Sequence, residues 1–336
     1  MLLLAKDYTI PRRVRQAFCV LIFAFCIGRF YLWRALCYTL MQYIRKGVGM
    51  AMRISELLKK DGVTFSLEVF PPKTSEKYAQ TAEAARKIAE LKPDFMSVTY
   101  GAGGGTGTFT AGIAAGIQRE FGVPTLAHLT CVSSDRQHVL NMLKVYREND
   151  IENILALRGD LPKDGVLSSD YRYAVELIRD IRANGDFCIG GACYPEGHIE
   201  CAHKKDDLDH LAEKAAAGLD FLTTQMFFNN DIFYNFLYRA RERGITIPII
   251  AGIMPITSPR QLERSVAMSG TLVPSRFRAI VDHFGDSPEA MKQAGIIYAT
   301  EQIVDLIANG VRHVHVYTMN KPEVAAGIKR NLTGIL

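Results

Sequence analysis

FSLEVFPPKTSEKYAQTAEAARKIAELKPDFMSVT, residues 65–99, contains a complete strand–helix–strand unit and indicates the fold of the whole chain. Phe65–Phe70 and Phe95–Thr99 are short runs of mostly apolar and β-branched residues without strict alternation, as is typical of parallel strands covered on both faces. Ser75–Leu91 lies between them and carries an apolar stripe at helical spacing. The stripe consists of Tyr78, Ala82, Ala85 and Ile88. This pattern predicts a helix that connects two parallel strands.

The same unit recurs along the rest of the chain. The predicted strands are Phe65–Phe70, Phe95–Thr99, Thr125–Thr130, Asn153–Leu157, Cys188–Tyr194, Phe221–Thr224, Ile247–Ile253 and His313–Tyr317. A strand–helix unit repeated eight times favours an α/β fold of the closed (β/α)8 barrel type over an open doubly wound sheet. The interval before the last strand is about twice as long as the early ones, so extra helices are expected around Pro274–Phe284 and Pro288–Ala308.

A glycine-rich stretch follows the second predicted strand and bears on the choice between these folds. A doubly wound dinucleotide-binding sheet would carry a GxGxxG fingerprint after its first strand, and the sequence has none. Gly101–Gly107 contains no three glycines at that spacing, and no phosphate-binding GK[ST] sequence follows it. We therefore expect this stretch to be a flexible loop at the rim of the barrel.

Composition and charge indicate a globular body that does not bind nucleic acid. Hydrophobic residues make up 48% of the chain and charged residues 22%, which is enough for a sizeable core. The formal net charge is +5, but the first 52 residues alone carry an excess of +7. A near-neutral body lacks the clustered Lys and Arg that binding to a phosphate backbone requires.

The cysteines favour a reducing, cytoplasmic compartment. The sequence has seven of them, without a CxxC pair, and this does not resemble a disulfide framework. Cys193, His198, Cys201 and His203 lie near one another in sequence, but their spacing fits no familiar zinc pattern, so no metal site is expected.

Residues 1–51 differ in character from the rest of the chain. Ala17–Ile44 is strongly apolar, but Arg29 and Arg34 interrupt it, and its longest uncharged run is shorter than the roughly 20 residues that span a bilayer. Three interpretations are open: an upstream or dispensable extension with the true start at Met50 or Met52, a peripheral or transmembrane anchor, and a cleaved signal. The first is favoured, which predicts an extension over residues 1–51 and a single barrel domain over residues 52–336.

Polar side chains stand at the ends of nearly all the predicted strands. Because the carboxyl ends of parallel barrel strands meet at one mouth, where active sites lie, these residues are expected to form a site. They are Glu68, Thr99, Tyr100, His128, Thr130, Arg158, Asp160, Tyr194, Glu196, Gln225 and the segment Tyr317–Lys321.

Glu68 is the sharpest of these signals. A carboxylate within FSLEVFPP is costly to bury unless it is paired, protonated or functional. Desolvation is expected to raise its pKa, which suits a general acid. The alternative is an ion pair with Arg158 or Lys73. Asp160 could likewise be a turn carboxylate paired with Arg158, but function is favoured because Gly159 would allow the backbone to approach a ligand closely.

Several motifs resemble those of the methylenetetrahydrofolate reductases, in the same order along the chain. They are SLEVFPPKTSE at Ser66–Glu76, SVTYGA at Ser97–Ala102, AHLTC at Ala127–Cys131, ALRGDLP at Ala156–Pro162, YPEGH at Tyr194–His198, TQMFF at Thr224–Phe228, GIMPI at Gly252–Ile256 and YTMN at Tyr317–Asn320. The resemblance runs from about Met52 to the C-terminus and leaves out the leading residues.

The resemblance implies a TIM barrel that binds FAD without a dinucleotide-binding domain. Such an enzyme takes hydride from NADH or NADPH and passes it to 5,10-methylenetetrahydrofolate in a ping-pong reaction, which supplies methyl groups for methionine synthesis. By this analogy Glu68 is the acid that opens the imidazolidine ring of the folate. Gln225 positions the folate and the nicotinamide in turn, and Asp160 binds the pterin edge and tunes the flavin. Homo-oligomers are common in the family, so an oligomer is expected.

The resemblance also implies a set of FAD contacts. They are Thr99, Tyr100, Ala102, His128, Arg158, Gly159, Asp160, Tyr173, Ala174, Tyr194 and His198, followed by Asp207, His210 and Lys214 on one predicted helix. Taken alone, the last three would be read as an ordinary solvated helix face. Substrate contacts are implied for Glu68, Asp160, Gln225 and Lys321.

Two positions depart from the family pattern. Pro259 stands where the family often has an aromatic residue, and Lys321 where it often has Arg, whose planar fork Lys does not reproduce. Two rival functions remain open on sequence grounds. One is another barrel enzyme, such as a metal-assisted hydrolase or lyase, which would need clustered His and Asp ligands. The other is a non-catalytic flavin or folate carrier.

Overall fold

The structure is a computed structural model that describes residues 52–72, 74–101, 107–161, 170–201 and 203–336, with the side chains of residues 204 and 205 excepted. The predicted extension over residues 1–51 lies outside the described residues. So does Ala102, one of the residues expected to contact FAD.

The described part of the chain forms a closed barrel of eight parallel strands, as predicted from the sequence. Each strand pairs with the next along the chain, and β8 pairs with β1 to close the ring. The strands are β1 (Thr64–Val69), β2 (Phe95–Val98), β3 (Thr125–Thr130), β4 (Asn153–Leu157), β5 (Cys188–Cys193), β6 (Phe221–Thr224), β7 (Ile249–Ile253) and β8 (His313–Tyr317). Almost every strand residue is buried, because side chains inside the barrel and helices outside it cover both faces.

Helices surround the barrel and connect consecutive strands. In the described residues they are α1 (Ile54–Leu57), α2 (Tyr78–Ala89), α3 (Gly107–Phe121), α4 (Arg136–Glu148), α5 (Ala174–Asn184), α6 (Lys204–Ala216), α7 (Asn230–Glu242), α8 (Pro259–Ser269), α9 (Ser275–Phe284), α10 (Pro288–Ala308) and α11 (Pro322–Asn331). None of these is long and apolar enough to cross a membrane. A short 3₁₀ turn, Ser75–Lys77, precedes α2, so the helix predicted over Ser75–Leu91 begins as a tighter turn.

The amino-terminal end of the barrel is closed by α1. Ile54, Leu57 and Leu58 are buried against a ring of strand side chains that includes Phe95 and Phe221. Asn153 fixes this helix, because its Oδ1 accepts a hydrogen bond of 2.8 Å from the Ile54 N–H. The carboxyl end of the barrel is therefore the mouth that remains for a ligand.

Three helices, α8, α9 and α10, lie between β7 and β8, where the long interval predicted extra helices. They enclose a second apolar cluster around Phe228 and Phe277 that lies beside the mouth. Gly295 of α10 approaches the chain after β7 so closely that a Cβ atom there would lie 1.8 Å from the Ile256 carbonyl oxygen. The extra helices thus support the loop that follows β7.

β1, β2, β5 and β7 differ from their predicted bounds by one or two residues, and two of these differences have reasons visible in the chain. β7 begins at Ile249 rather than Ile247, since Pro248 has no N–H to donate to a neighbouring strand. β1 ends at Val69 rather than Phe70, and Pro71 and Pro72 follow directly. The backbone of Phe70 instead hydrogen-bonds to the side chain of Asn320, which follows β8.

Candidate active site at the barrel mouth

The mouth brings together residues that lie far apart in the sequence. Glu68 is the penultimate residue of β1, and its side chain is 18% exposed. Ser97 Oγ of β2 donates a hydrogen bond of 3.2 Å to Glu68 Oε2. Nε2 of His128 in β3 lies 3.6 Å from the same oxygen, and Nε2 of His315 in β8 lies 3.9 Å from it. One carboxyl group is therefore enclosed by side chains from three other strands.

His128 is neutral at physiological pH. Burial lowers its pKa to about 4, although the nearby Glu68 carboxylate opposes this shift and His315 reinforces it. Its Nε2 atom is buried and makes no hydrogen bond to any described residue. The contact between His128 and Glu68 is therefore not an ion pair near pH 7, and the imidazole nitrogen is available to a ligand at the mouth.

A buried hydrogen-bond chain continues from Ser97 into the barrel. Ser97 Oγ lies 3.0 Å from Nε2 of His315, and Nδ1 of His315 lies 2.7 Å from Oγ of Ser66. Because the Ser97 hydroxyl has one proton, which it donates to Glu68, the bond between His315 and Ser97 is donated by the imidazole N–H. This chain fixes the orientation of the Glu68 carboxyl group from below.

Ser66, Ser97 and His315 were not among the site residues expected from the sequence. A signal was present, since Ser66 and Glu68 alternate along β1 and His313, His315 and Tyr317 alternate along β8. Alternating polar residues in an otherwise apolar parallel strand point to one face of the barrel. The register then pairs Ser66 with His315 across the β1–β8 contact.

The loop after β4 places Arg158 and Asp160 at the mouth, but with different partners from those expected. The two terminal nitrogens of Arg158 each donate a hydrogen bond of 2.7 Å to Glu200, one to each carboxylate oxygen. The sequence alternative in which Arg158 pairs with Glu68 is therefore wrong, because Glu200 occupies this guanidinium. Lys73, the other alternative, lies outside the described residues. Asp160 is exposed.

The packing around Gly159 itself requires a glycine. Its φ is +90°, a conformation that favours glycine, and an added Cβ would lie 3.0 Å from Cβ of Thr130 and 3.1 Å from Cγ1 of Val132. The missing side chain thus gives room to the chain after β3.

Beyond Arg158, the chain after β5 and the helix α6 carry a group of polar side chains. The rings of Tyr194 and His198 contact edge to face at 4.6 Å. Lys214 reaches inward and donates a hydrogen bond of 2.8 Å to the Ala192 carbonyl, and burial lowers its pKa. Burial raises the pKa of Asp207, and Lys214 and His198 oppose that shift. His210 of the same helix is exposed.

The other residues expected to contact FAD lie on neighbouring elements. Thr99 follows β2, and Tyr173 and Ala174 lie at the start of α5, where Tyr173 is half exposed. The Tyr100 hydroxyl is directed away from the mouth, since it lies 2.9 Å from Nε2 of His138 on α4 and only 7% of the residue is exposed. A contact between Tyr100 and a cofactor would therefore use its backbone.

Gln225 and Lys321 complete the mouth on its other side. The Gln225 N–H donates to the Cys193 carbonyl at 2.7 Å, which fixes the residue directly after β6. Lys321 Nζ donates a 2.6 Å hydrogen bond to Thr257 Oγ1 and so joins the loop after β8 to the loop after β7. Pro259 is the first residue of α8 and packs close to Gly285, so it begins the helix rather than presenting a ring to the mouth.

No group of three or more His, Cys, Asp or Glu side chains that could hold a metal ion is found among the described residues. Cys193 is fully buried in β5, and Cys201 donates to the His203 carbonyl. The described part of the chain therefore contains no ligand set of the kind that the metal-assisted rival would need.

The arrangement can be compared with known proteins. A family model for methylenetetrahydrofolate reductase matches residues 53–333. The chain belongs to this family. The 5,10-methylenetetrahydrofolate reductase of Pectobacterium carotovorum subsp. carotovorum is 34% identical over 270 residues, which cover 80% of this chain and 90% of the relative. The enzyme of Escherichia coli (strain K12) is 33% identical with the same coverage.

Eukaryotic relatives of the family are longer than this chain. Methylenetetrahydrofolate reductase (NADH) 1 of Zea mays is 37% identical over 288 residues, which cover 81% of this chain and 49% of the relative. The chain spans about half the length of this and the other plant and fission-yeast relatives.

One solved structure supports the fold. It is an uncharacterized protein from Clostridium thermocellum that binds two copies of 5-methyl-5,6,7,8-tetrahydrofolic acid. Its TM-score is 0.55 at 15% sequence identity, and the match covers 82% of this chain and 96% of that one. At this identity the likeness supports the (β/α)8 architecture alone.

Proposed function

We propose that this protein is an FAD-dependent reductase that converts 5,10-methylenetetrahydrofolate to 5-methyltetrahydrofolate with NADH or NADPH as the reductant. The observation that carries the proposal is the Glu68 carboxyl group at the barrel mouth. It is held by the Ser97 hydroxyl and lies next to a neutral imidazole rather than a cation. The reaction is carried over from the family to which the chain belongs. The geometry supports an acid at the position where this reaction needs one.

The residues around the mouth suit a flavin dinucleotide. His128 offers a buried Nε2 atom that makes no hydrogen bond to any described residue, and Lys214 offers an inward ammonium group beside the chain after β5. The residues that would hold FAD are Thr99, Tyr100, His128, Arg158, Gly159, Asp160, Tyr173, Ala174, Tyr194, His198, Asp207, His210 and Lys214. When bound, FAD would supply the carrier that accepts a hydride equivalent from the nicotinamide and delivers it to the folate carbon.

Glu68 would supply the proton. Opening the imidazolidine ring requires a proton on a ring nitrogen as its bond to the methylene carbon breaks, and the substrate becomes an iminium ion. The proton leaves Glu68, and the carboxylate that remains keeps the hydrogen bond donated by Ser97, which stabilises the charged form. Gln225 would orient the folate and the nicotinamide in turn, and Asp160 would bind the pterin edge by a charge-assisted hydrogen bond. Lys321 would contact the rest of the folate.

Two further features belong to the proposal. The free cysteines of the described residues fit a reducing cytoplasm, and homo-oligomerisation is carried over from the family. The fold neighbour's own ligand is the product of the proposed reaction, so a barrel of this kind can accommodate the folate.

The test is a pair of half-reactions on purified protein reconstituted with FAD. NADH or NADPH should bleach the bound FAD absorbance near its visible maximum, and methylenetetrahydrofolate should restore it. Glu68→Gln, which keeps the shape of the side chain and loses the proton, should slow restoration at least about 10²-fold and leave bleaching nearly unchanged. A protein that binds no FAD contradicts the proposal. Failure of both half-reactions in the unchanged, FAD-loaded protein favours the carrier function instead.

A further inference from the structure

The motif YTMN was identified by resemblance, and the proposed function assigns no role to its last two residues. Met319 and Asn320 follow β8 after a single residue, Thr318, and both have positive φ, +54° and +53°. This conformation is uncommon for residues other than glycine, and two in succession turn the chain sharply. The turn brings the Asn320 side chain to the end of β1.

The Asn320 amide takes the place of a strand residue there. Backbone pairing between β1 and β8 ends with Glu68 opposite Tyr317. Beyond this point the Phe70 N–H donates to Oδ1 of Asn320 at 3.0 Å, and Nδ2 of Asn320 donates to the Phe70 carbonyl at 2.9 Å. Because Pro71 follows and has no N–H, the pair of bonds from Asn320 is the last rung of hydrogen bonds on this side of β1.

Thr318 holds the residue that matters for the proposed chemistry. Its Oγ1 donates a hydrogen bond of 2.6 Å to the carbonyl of Glu68, and it is itself fixed by the Asn320 N–H, which donates to it at 3.2 Å. Thr318 is 1% exposed, so water does not compete for these bonds. The same turn therefore holds the backbone at Glu68 and two residues beyond it.

We propose that Asn320 is a positioning residue for Glu68. It does not touch the reacting atoms. It acts through the backbone, because the two bonds to Phe70 prevent the end of β1 from moving and so keep the Glu68 carboxyl group at a fixed place in the mouth. This inference rests on the proposed function, in which Glu68 delivers the proton to the folate.

A simpler explanation of Asn320 is that asparagine tolerates positive φ better than other residues do. Glycine separates the two explanations, because it adopts this φ with less strain and has no amide. If only the backbone conformation matters, Asn320→Gly should be harmless. If the amide holds β1, the same change should disturb Glu68. Met319→Gly is the matched control, since Met319 also has positive φ, is 39% exposed and has no side-chain amide.

The experiment compares the two half-reactions of the FAD-loaded variants. We expect Asn320→Gly to slow the folate-dependent restoration of FAD absorbance about tenfold, because displacement of a catalytic group by a fraction of an ångström has effects of this order. Bleaching by NADH should change less than about twofold, since it does not use the Glu68 proton. Met319→Gly should leave both rates unchanged.

A second readout needs neither cofactor nor turnover. Hydrogen–deuterium exchange in the segment 65–72 of the cofactor-free protein should rise in Asn320→Gly at Phe70, and should stay unchanged in Met319→Gly. Thr318→Val provides a second variant, because it keeps the side-chain shape and removes the hydroxyl that donates to Glu68. It should show the same selective loss of the folate half-reaction, with the pH dependence of that half-reaction altered. Beside Tyr317, the titratable groups facing Glu68 are His128 and His315.

The outcomes distinguish this inference from the function on which it rests. If the unchanged protein fails to restore FAD absorbance with methylenetetrahydrofolate, both fall. If the unchanged protein is active and Asn320→Gly matches it in both half-reactions and in exchange, only the positioning role is overturned. Equal slowing of both half-reactions, or a thermal midpoint lowered in proportion to activity, also overturns it, since general loss of structure then accounts for the effect.

Discussion

At the scale of single residues, the hydroxyl of Ser97 is the direct support of the Glu68 carboxyl group. Ser97→Ala removes the hydrogen bond to Glu68 Oε2 and leaves His315 without its partner on that side. We expect the folate half-reaction to slow by about tenfold, since a hydrogen bond to a charged group contributes about 1.5–3 kcal/mol. Stopped-flow absorbance of the bound FAD measures it.

Ser66→Ala is the control for this change. Ser66 contacts His315 and the Val314 carbonyl but does not reach Glu68. Its removal should therefore slow the folate half-reaction less than the removal of Ser97 does. An equal or larger effect of Ser66→Ala would show that the inner part of the chain, rather than the contact with Glu68, limits the reaction.

A second prediction at this scale concerns pH. Burial lowers the pKa of His128 and of His313 to about 4, from an ordinary value near 6.5. Well above pH 6.5 neither histidine binds a proton in the folded or the unfolded state, so the two histidines do not lower the free energy of unfolding. As pH falls from 6.5 to 4, the unfolded chain binds protons that the folded chain excludes, and stability is lost. The loss is greatest once pH is below both values.

His313→Gln should reduce this loss of stability in acid. His313 lies at the start of β8, close to Thr64 and away from the mouth, and its share is about 2 kcal/mol after allowance for partial exposure. Urea unfolding at pH 7.5 and pH 4.5 measures the difference, with His283→Gln as the control because His283 is exposed. The prediction is contradicted if the free energy of unfolding falls as much between pH 7.5 and pH 4.5 in His313→Gln as in the unchanged protein.

At the scale of elements, the contact between α10 and the loop after β7 depends on a single glycine. Gly295→Ala would place Cβ 1.8 Å from the Ile256 carbonyl oxygen and 2.8 Å from its carbon, so backbone has to move. We expect a loss of at least about 2 kcal/mol in the free energy of unfolding, as for other overpacked sites. Equilibrium unfolding in urea measures it.

Gly116→Ala provides the matched comparison within another helix. Gly116 lies in α3, and an added Cβ there would meet no atom within 4 Å. The same substitution should therefore stabilise the protein by about 0.5–1 kcal/mol through helix propensity. If Gly295→Ala were neutral or stabilising, as is expected of Gly116→Ala, the close approach of α10 to Ile256 would not be a rigid contact.

Most of the elements could be predicted from the sequence, because their signals are local. β3, β4, β6 and β8 have the predicted bounds, since each is a run of apolar and β-branched residues between turn signals. The polar strand ends were also recognisable, because all parallel strands in a barrel end at the same mouth. The hydrogen-bond partners of these polar groups could not be predicted from the sequence. Arg158 binds Glu200, 42 residues away, and no local pattern encodes a contact between two loops.

At the scale of the whole molecule, the segment before β1 is part of the barrel. Ile54, Leu57 and Leu58 are at most 6% exposed and close the end opposite to the mouth. A chain that begins at Met52 should keep the thermal midpoint and FAD affinity of the full chain, because this closure is intact. A chain that begins at Val63 should lose at least about 4 kcal/mol, at roughly 1.5–3 kcal/mol for each buried side chain. Calorimetry and FAD titration of the two chains test both statements.

This comparison also tests the domain boundary drawn from the sequence. A Met52 chain that is markedly less stable than the full chain would show that residues 1–51 belong to the folded domain. A Val63 chain as stable as the Met52 chain would show that the contacts of α1 with Phe95 and Phe221 contribute little.

The pairing of β1 with β8, which closes the barrel, has a consequence for the order in which the barrel assembles during synthesis. Phe70 and Asn320, which meet there, are 250 residues apart, and so are Glu68 and Thr318. On the ribosome β1 emerges early and waits for β8 with one edge unpaired, a state that is slow to resolve and prone to aggregate. A chain interrupted before β8 lacks the neighbours of Glu68 on that side. The surroundings of Glu68 are thus completed last, and a truncated chain would be catalytically inactive rather than partly active.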